Sequence, residues 1–192
     1  TEPIHVALCG IVFLGDYLPL PLAIAIALAT AGVLLMSWPK DGARDLLSWR
    51  PIAIGLFAGA VFGASAIGFR GAIRALDEPN FVVAATTTLV AGLALQTAIL
   101  SAYLIIADRP TLNALFQAWR PSIKAGFAGA FASQMWFLAF AIESAAKIRT
   151  LALIEIFFAG LLTRSLFKQG TGPREIAGMA MIVAGVALLL NL

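Results

Sequence analysis

From Phe81 to Ala107 the chain runs without one charged residue: FVVAATTTLVAGLALQTAILSAYLIIA. An apolar helix of about 20 residues crosses the hydrocarbon core of a bilayer. A run longer than that belongs in lipid or inside a very large core. Composition decides between the two. The chain has 192 residues, of which 61% are hydrophobic and 12% charged. Soluble domains carry roughly 25% charged residues. A soluble protein of this size could not cover its surface with so few, and the mean hydropathy is +0.95.

The apolar runs repeat along the chain. They lie at about Ile4–Leu18, Leu22–Trp38, Ile52–Phe69, Phe81–Ala107, Ala125–Ile142, Thr150–Thr163 and Ile176–Leu192. Turn-forming stretches separate them: GDYLPLP, PKDGARD, LDEPN, ADRPTLN and KQGTGPRE. Only helices and closed barrels satisfy their backbone within lipid. These runs are too long and too continuously apolar for barrel strands. The expected fold is all-α, a polytopic transmembrane helical bundle. The Thr150–Thr163 run is short for a span, so Arg149 and Arg164 are expected to snorkel at its ends. The opening TEPIHVALCG leads straight into an apolar run, as in a piece of a larger membrane protein.

Two internal echoes stand out. WRPIAIGLFAGA (49–60) and WRPSIKAGFAGA (119–130) match at a spacing of 70 residues. Trp and Arg suit the headgroup level, and Pro suits the first turn of a helix. ALATAGVLL (27–35) likewise matches AMIVAGVAL (180–188). The first two helices therefore resemble the last two, and repeated helical units are common in transporters. Gly55, Gly59 and Gly63, and in the matching helix Ala125, Gly129 and Ser133, fall every four residues. That spacing permits close helix contact.

The pattern of a Pro, an apolar run, Gly-Asp and a helix ending AGVLLM resembles the EamA-type repeat of the drug/metabolite transporter superfamily. Here it reads PIHVALCGIVFLGDYLPLPLAIAIALATAGVLLM. TLALIEIFFAGLLTRSLFKQGTGPREIAGMAMIVAGVALLL is similar to the end of the second repeat, and SWRPIAIGLFAGAVFGASAIGFRGAI to its opening. Members have ten helices in two inverted five-helix repeats. The resemblance thus implies that this chain holds the last seven helices, with the first repeat truncated. Residues 1–38 would be the last two helices of that repeat, 39–51 a connecting loop and 52–192 the second repeat. The chain departs from the pattern twice. Lys168 stands where an acidic residue follows the Gly, and Glu155 where the ninth helix has a Pro.

Glu155 is the leading candidate for chemistry. It sits in LALIEIFFAG, with its nearest basic neighbours in sequence at Arg149 and Arg164. A charge inside the apolar slab costs at least a few kcal/mol. It must face a cavity or a partner, or take up a proton. Gln96, Gln134 and Trp136 are polar or amphipathic groups at mid-helix, fit either to line a substrate cavity or to tie helices together. Thr86, Thr87 and Thr88 can satisfy themselves on carbonyls one turn back.

One His and one Cys leave no His/Cys metal cluster, and there is no P-loop, dinucleotide fingerprint or G-x-S-x-G elbow. No metal, cofactor or catalytic residue is expected. The expected partners are a small-molecule substrate, the lipid bilayer and protons. No basic run points to nucleic acid. Basic residues concentrate in connections on one side, at Lys40, Arg44, Arg50, Arg109, Arg120, Lys124, Arg164, Lys168 and Arg174. Arg70, Arg74, Lys147 and Arg149 fall on the other. The positive-inside tendency puts the first set in the cytoplasm, whereas the resemblance implies the reverse.

The functional expectation is a multi-pass secondary transporter of the bacterial inner membrane, moving a small metabolite such as an amino acid by alternating access. The alternatives are a membrane-embedded enzyme acting on lipid and a non-transporting membrane subunit.

Overall fold

A computed structural model of the chain describes residues 2–37, 49–167 and 172–192. Most of the loop expected over 39–51 therefore lies outside the described residues, as do Lys168 and the side chain of Arg164. Among the described residues the chain forms nine helices and no strand. They are α1 (Glu2–Leu14), α2 (Leu20–Met36), α3 (Trp49–Ala75), α4 (Phe81–Ala107), α5 (Arg109–Gln117), α6 (Trp119–Ile142), α7 (Ala145–Ala152), α8 (Ile154–Phe167) and α9 (Pro173–Leu190).

The helix ends follow local chemistry. Both Trp-Arg-Pro echoes open a helix, α3 and α6. The Asn80 carboxamide accepts from the N–H groups of Val82 and Val83, capping α4. Ser144 caps α7 by accepting from Lys147 N–H. Glu175 reaches back to Gly172 N–H at the start of α9. Each cap satisfies a donor that the first turn leaves over. After α1, Gly15 takes a left-handed backbone with φ 63°. The chain reverses there, and Asp16 N–H returns to the Gly10 carbonyl at 3.0 Å.

Among the described residues four helical stretches are long and apolar enough to cross a membrane: Ala53–Ala75, Phe81–Ala107, Trp119–Ile142 and Pro173–Leu190. Glu2–Leu14 and Leu20–Met36 are shorter apolar helices. Only 11% of the most apolar window of α4 or of α6 is buried within the protein. Large apolar side chains such as Phe57, Ile106 and Phe127 are more than 70% exposed. Apolar surface on this scale suits lipid rather than water.

The chain divides into two compact units, residues 1–68 with 143–192, and residues 69–142. In the first, α2 packs along α9. A Cβ on Gly32 would lie 2.6 Å from the Gly178 carbonyl oxygen, and one on Gly185 would lie 2.9 Å from the Ala25 carbonyl oxygen. Neither distance leaves room for a side chain. Gly32 thus faces Gly178 and Ile182, while Gly185 faces Ala25 and Ala29. Higher numbers in α2 meet lower numbers in α9, so the two run antiparallel. The aligned AGV stretches match Gly32 with Gly185 and Ala29 with Ile182, and upstream the same register matches Ala25 with Gly178. The contacts map onto themselves when the helices are exchanged, so the sequence echo reappears as a self-complementary seam.

The α3 and α6 stripes behave otherwise. A Cβ on Gly55 or Gly129 would meet nothing within 4 Å. A Cβ on Gly63 would lie 3.2 Å from the Val6 side chain of α1, a close approach. The close approach predicted along these stripes is therefore found at Gly63 and not at Gly55 or Gly129. Close contact also needs a small, complementary partner surface, and α2 and α9 supply each other with one.

In the second unit, α4 packs against α6, and α5 bridges them at one end. Rings of Phe69 and Phe137 meet at 4.8 Å between the end of α3 and α6.

Candidate functional site

The single run expected over Thr150–Thr163 is two helices. α7 stops at Ala152 and α8 starts at Ile154, with Leu153 between them. Leu153 N–H bonds the Thr150 carbonyl at 3.1 Å, and Ile156 N–H bonds the Leu153 carbonyl at 3.1 Å. These three-residue bonds replace the four-residue ladder for about one turn. No proline or glycine lies at the break, so the local sequence carries no breaker to announce it.

Charges gather around this break. Arg149, at the end of α7, places its Nε 2.9 Å from the Glu2 carboxylate at the start of α1. The two side chains are 13% and 29% exposed. The Arg149 guanidinium also lies 4.2 Å from the centre of the Phe62 ring of α3. A delocalised cation over an aromatic face is favourable, more so out of water. Glu2 and Phe62 thus hold the guanidinium expected to extend freely toward the headgroups. Glu155 occupies the first turn of α8 and is exposed. Its carboxylate lies within electrostatic reach of both Glu2 and Arg149. The isolation of Glu155 in sequence is thus not isolation in space. Beside the cluster Thr150 is fully buried, and its hydroxyl donates to the Ala146 carbonyl at 2.7 Å.

The other candidates lie in the second unit. Gln134 of α6 donates to the Thr86 hydroxyl of α4 at 3.0 Å. That bond ties two apolar helices together and supplies the partner an amide needs in lipid. Thr88 does bond its own helix, at the Ala84 carbonyl. Trp136 is half-buried on α6, with its ring tilted on Phe140, 5.7 Å between centres. Gln96 is exposed on α4. The Gln134 side chain thus spans from one helix to the next.

Arg70 differs from its expected place. α3 runs past Phe69 to Ala75, so Arg70 is inside the helix and only 7% exposed. Its guanidinium donates to the Phe140 carbonyl at 2.7 Å. Phe140 stands two residues from the end of α6, where carbonyls lack helical donors and a cation is favoured. Glu2 carries only a faint signal in sequence, an acidic residue opening an apolar helix. Where α3 turns into α4, Arg74, Asp77, Glu78 and Phe81 line an open pocket of about 390 Å³.

Among the described residues no group of three or more His, Cys, Asp or Glu is arranged to hold a metal ion. Compared with protein-family models, with curated proteins and with solved structures, the chain matches none.

Proposed function

We propose that the protein is a secondary transporter of the EamA-type drug/metabolite kind. It carries a small metabolite such as an amino acid across a bacterial inner membrane by alternating access and is not an enzyme. The observation that carries this reading is the Glu2–Arg149–Glu155 cluster at the break between α7 and α8. Membrane carriers build sites at discontinuities in their helices, and here three-residue bonds interrupt the ladder at Leu153, whose φ −60° and ψ −16° remain right-handed helical. Ionisable groups kept within apolar helices mark substrate or proton paths.

The α2–α9 seam supports the repeat organisation, because the echoed stretches of the two ends pack on each other self-complementarily. On this reading residues 1–38 close the first repeat and 52–192 form the second, inverted one. The cluster has a definite chemical capacity. Arg149 pairs with Glu2, and Glu155 is the neighbouring carboxylate, so a proton on either acid, or a bound amine, would change how Arg149 is held. A shift of α8 relative to α1 would exchange the partners without stranding a charge in the apolar interior.

Purified protein in proteoliposomes, offered a panel of metabolites with and without an imposed pH gradient, tests the proposal. Uptake of at least one small metabolite, raised by the gradient, is expected. Absence of uptake for every compound, from protein that remains folded, would leave the non-transporting subunit as the better reading.

A further inference from the structure

Between two bilayer-length helices, α4 and α6, the nine-residue α5 stands at the level where the apolar spans end. Leu112, Leu115 and Phe116 fall at i, i+3 and i+4, on one side of α5. Arg109, seven residues before Phe116, stands at the border of that side, and Asn113 and Gln117 continue a polar row away from it. No residue of α5 is buried, and Phe116 is 71% exposed. Trp119 and Ile123 continue the apolar surface into α6, at 54% and 61% exposure. A short amphipathic helix with an uncovered apolar side, placed at the end of two spans, lies in the membrane interface.

The charges around it are chiefly basic. Arg109 is pinned where α4 ends, its Nε donating to the Ile105 carbonyl at 2.9 Å. Arg120 holds its guanidinium 5.4 Å from the Trp119 ring centre. Lys124 is one turn further along α6 and exposed. The nearby acid is Asp108, whose carboxylate is occupied. It accepts from the Thr111 hydroxyl at 2.6 Å and from Thr111 N–H at 3.2 Å. The Thr111 hydroxyl holds the Asp108 carboxyl below its usual range. Its acceptor capacity is turned into the N-terminus of α5, while the two guanidinium planes and the ammonium stay at the surface.

We propose that the α4–α5–α6 corner is a binding site for anionic phospholipid. Arg109, Arg120 and Lys124 take the headgroup phosphate, and Leu115, Phe116 and Trp119 lie among the upper acyl carbons. Guanidinium groups engage phosphate oxygens two at a time, and both arginines are already oriented by a carbonyl and by an indole ring. Along the sequence these three cations read as loop charges of general topological use. The structure gathers them beside one unpartnered apolar helix side.

The test is quenching of Trp119 fluorescence by brominated lipid in vesicles. The protein used has Phe substituted at its other Trp positions, 38, 49 and 136. Phosphatidylcholine vesicles carry the bromine either on the host lipid or on a minor fraction of phosphatidylglycerol. Brominated phosphatidylglycerol is expected to quench well beyond its mole fraction. A basic residue at an anionic surface is worth about a fivefold factor in affinity. Arg120→Gln should therefore cut the preference about fivefold, and the triple variant Arg109→Gln/Arg120→Gln/Lys124→Gln should abolish it. Arg120→Lys covers the case in which Arg120→Gln fails to fold, and it should keep most of the preference. Arg174→Gln, at the start of α9, should leave it unchanged. Quenching by phosphatidylglycerol no greater than its mole fraction would overturn the proposal, reducing the corner to an anchor without headgroup choice. Equal loss in Arg174→Gln would overturn it too, because the preference would then belong to net charge.

Discussion

Along the α2–α9 seam, Gly32, Gly178 and Gly185 bring backbone to backbone, and Ala25, Ala29 and Ile182 are buried. At the α7–α8 break, in the same unit, Glu2, Arg149 and Glu155 gather with a ring and an interrupted helix. The seam gains stability from fit. Its chemistry is nearly featureless, and any added atom must displace backbone. The break accepts the cost of charges among apolar helices and keeps one carboxylate exposed. A static joint and a site able to change partners call for different materials. Glycine and alanine serve the first, and an ion pair with a second carboxylate nearby serves the second.

The largest effect should come from adding bulk to the seam. Gly32→Leu would press a side chain into the Gly178 carbonyl and cost about 3 kcal/mol or more in detergent-solubilised stability. Gly129→Leu, facing open space, should stay within about 0.5 kcal/mol. Equal thermal shifts for the two would erase the distinction between seam and stripe.

Next in size is the ion pair. Arg149→Gln leaves Glu2 without its partner and should cost about 2–3 kcal/mol, toward the low end for a buried pair because Glu2 remains partly exposed. The double variant Glu2→Gln/Arg149→Gln should recover most of that. Additive losses in the cycle would mean that the pair contributes nothing as a pair.

Smaller again is Gln134→Leu, which removes the bond to Thr86. Hydrogen bonds between membrane helices average about 0.6 kcal/mol, so a modest fall in melting temperature is expected. Unchanged transport would make Gln134 a tie between α4 and α6. A selective rise in KM would place it in the path of the substrate.

Much of the architecture is legible in sequence, and the reasons are physical. The bounds of α4 match the run from Phe81 to Ala107, because an uncharged stretch flanked by Asn80 and Asp108 belongs in lipid as one piece. The Asn80 side chain caps its start, and Asp108, whose backbone N–H closes its end, turns its carboxylate to the start of α5. Both Trp-Arg-Pro stretches mark helix starts for similar reasons. Three features are not legible. The break at Leu153 lacks a proline or glycine, so it arises from tertiary packing. The approach of Glu2 to Arg149 joins opposite ends of the chain, and spacing along a helix cannot reveal that. Arg70 reads as a loop charge because the apolar run stops at Phe69, although the helix continues and uses the guanidinium to cap α6. The AGV echo is visible, but its meaning requires both copies to be placed in contact. The α5 helix is hidden in ADRPTLN, where the breakers outweigh a short amphipathic pattern.

The central claim is that the charged cluster couples protonation to movement of substrate, and Glu155→Gln tests it most directly. The variant keeps the shape of the carboxylic acid and removes its titration. Once a transported metabolite has been found for the parent, two measurements on the variant in proteoliposomes are compared: exchange of labelled for unlabelled metabolite, and accumulation driven by a pH gradient. The account predicts that exchange persists while gradient-driven accumulation falls to the level reached without a gradient. Accumulation equal to the parent's would contradict it and would make Glu155 an ordinary polar residue on α8.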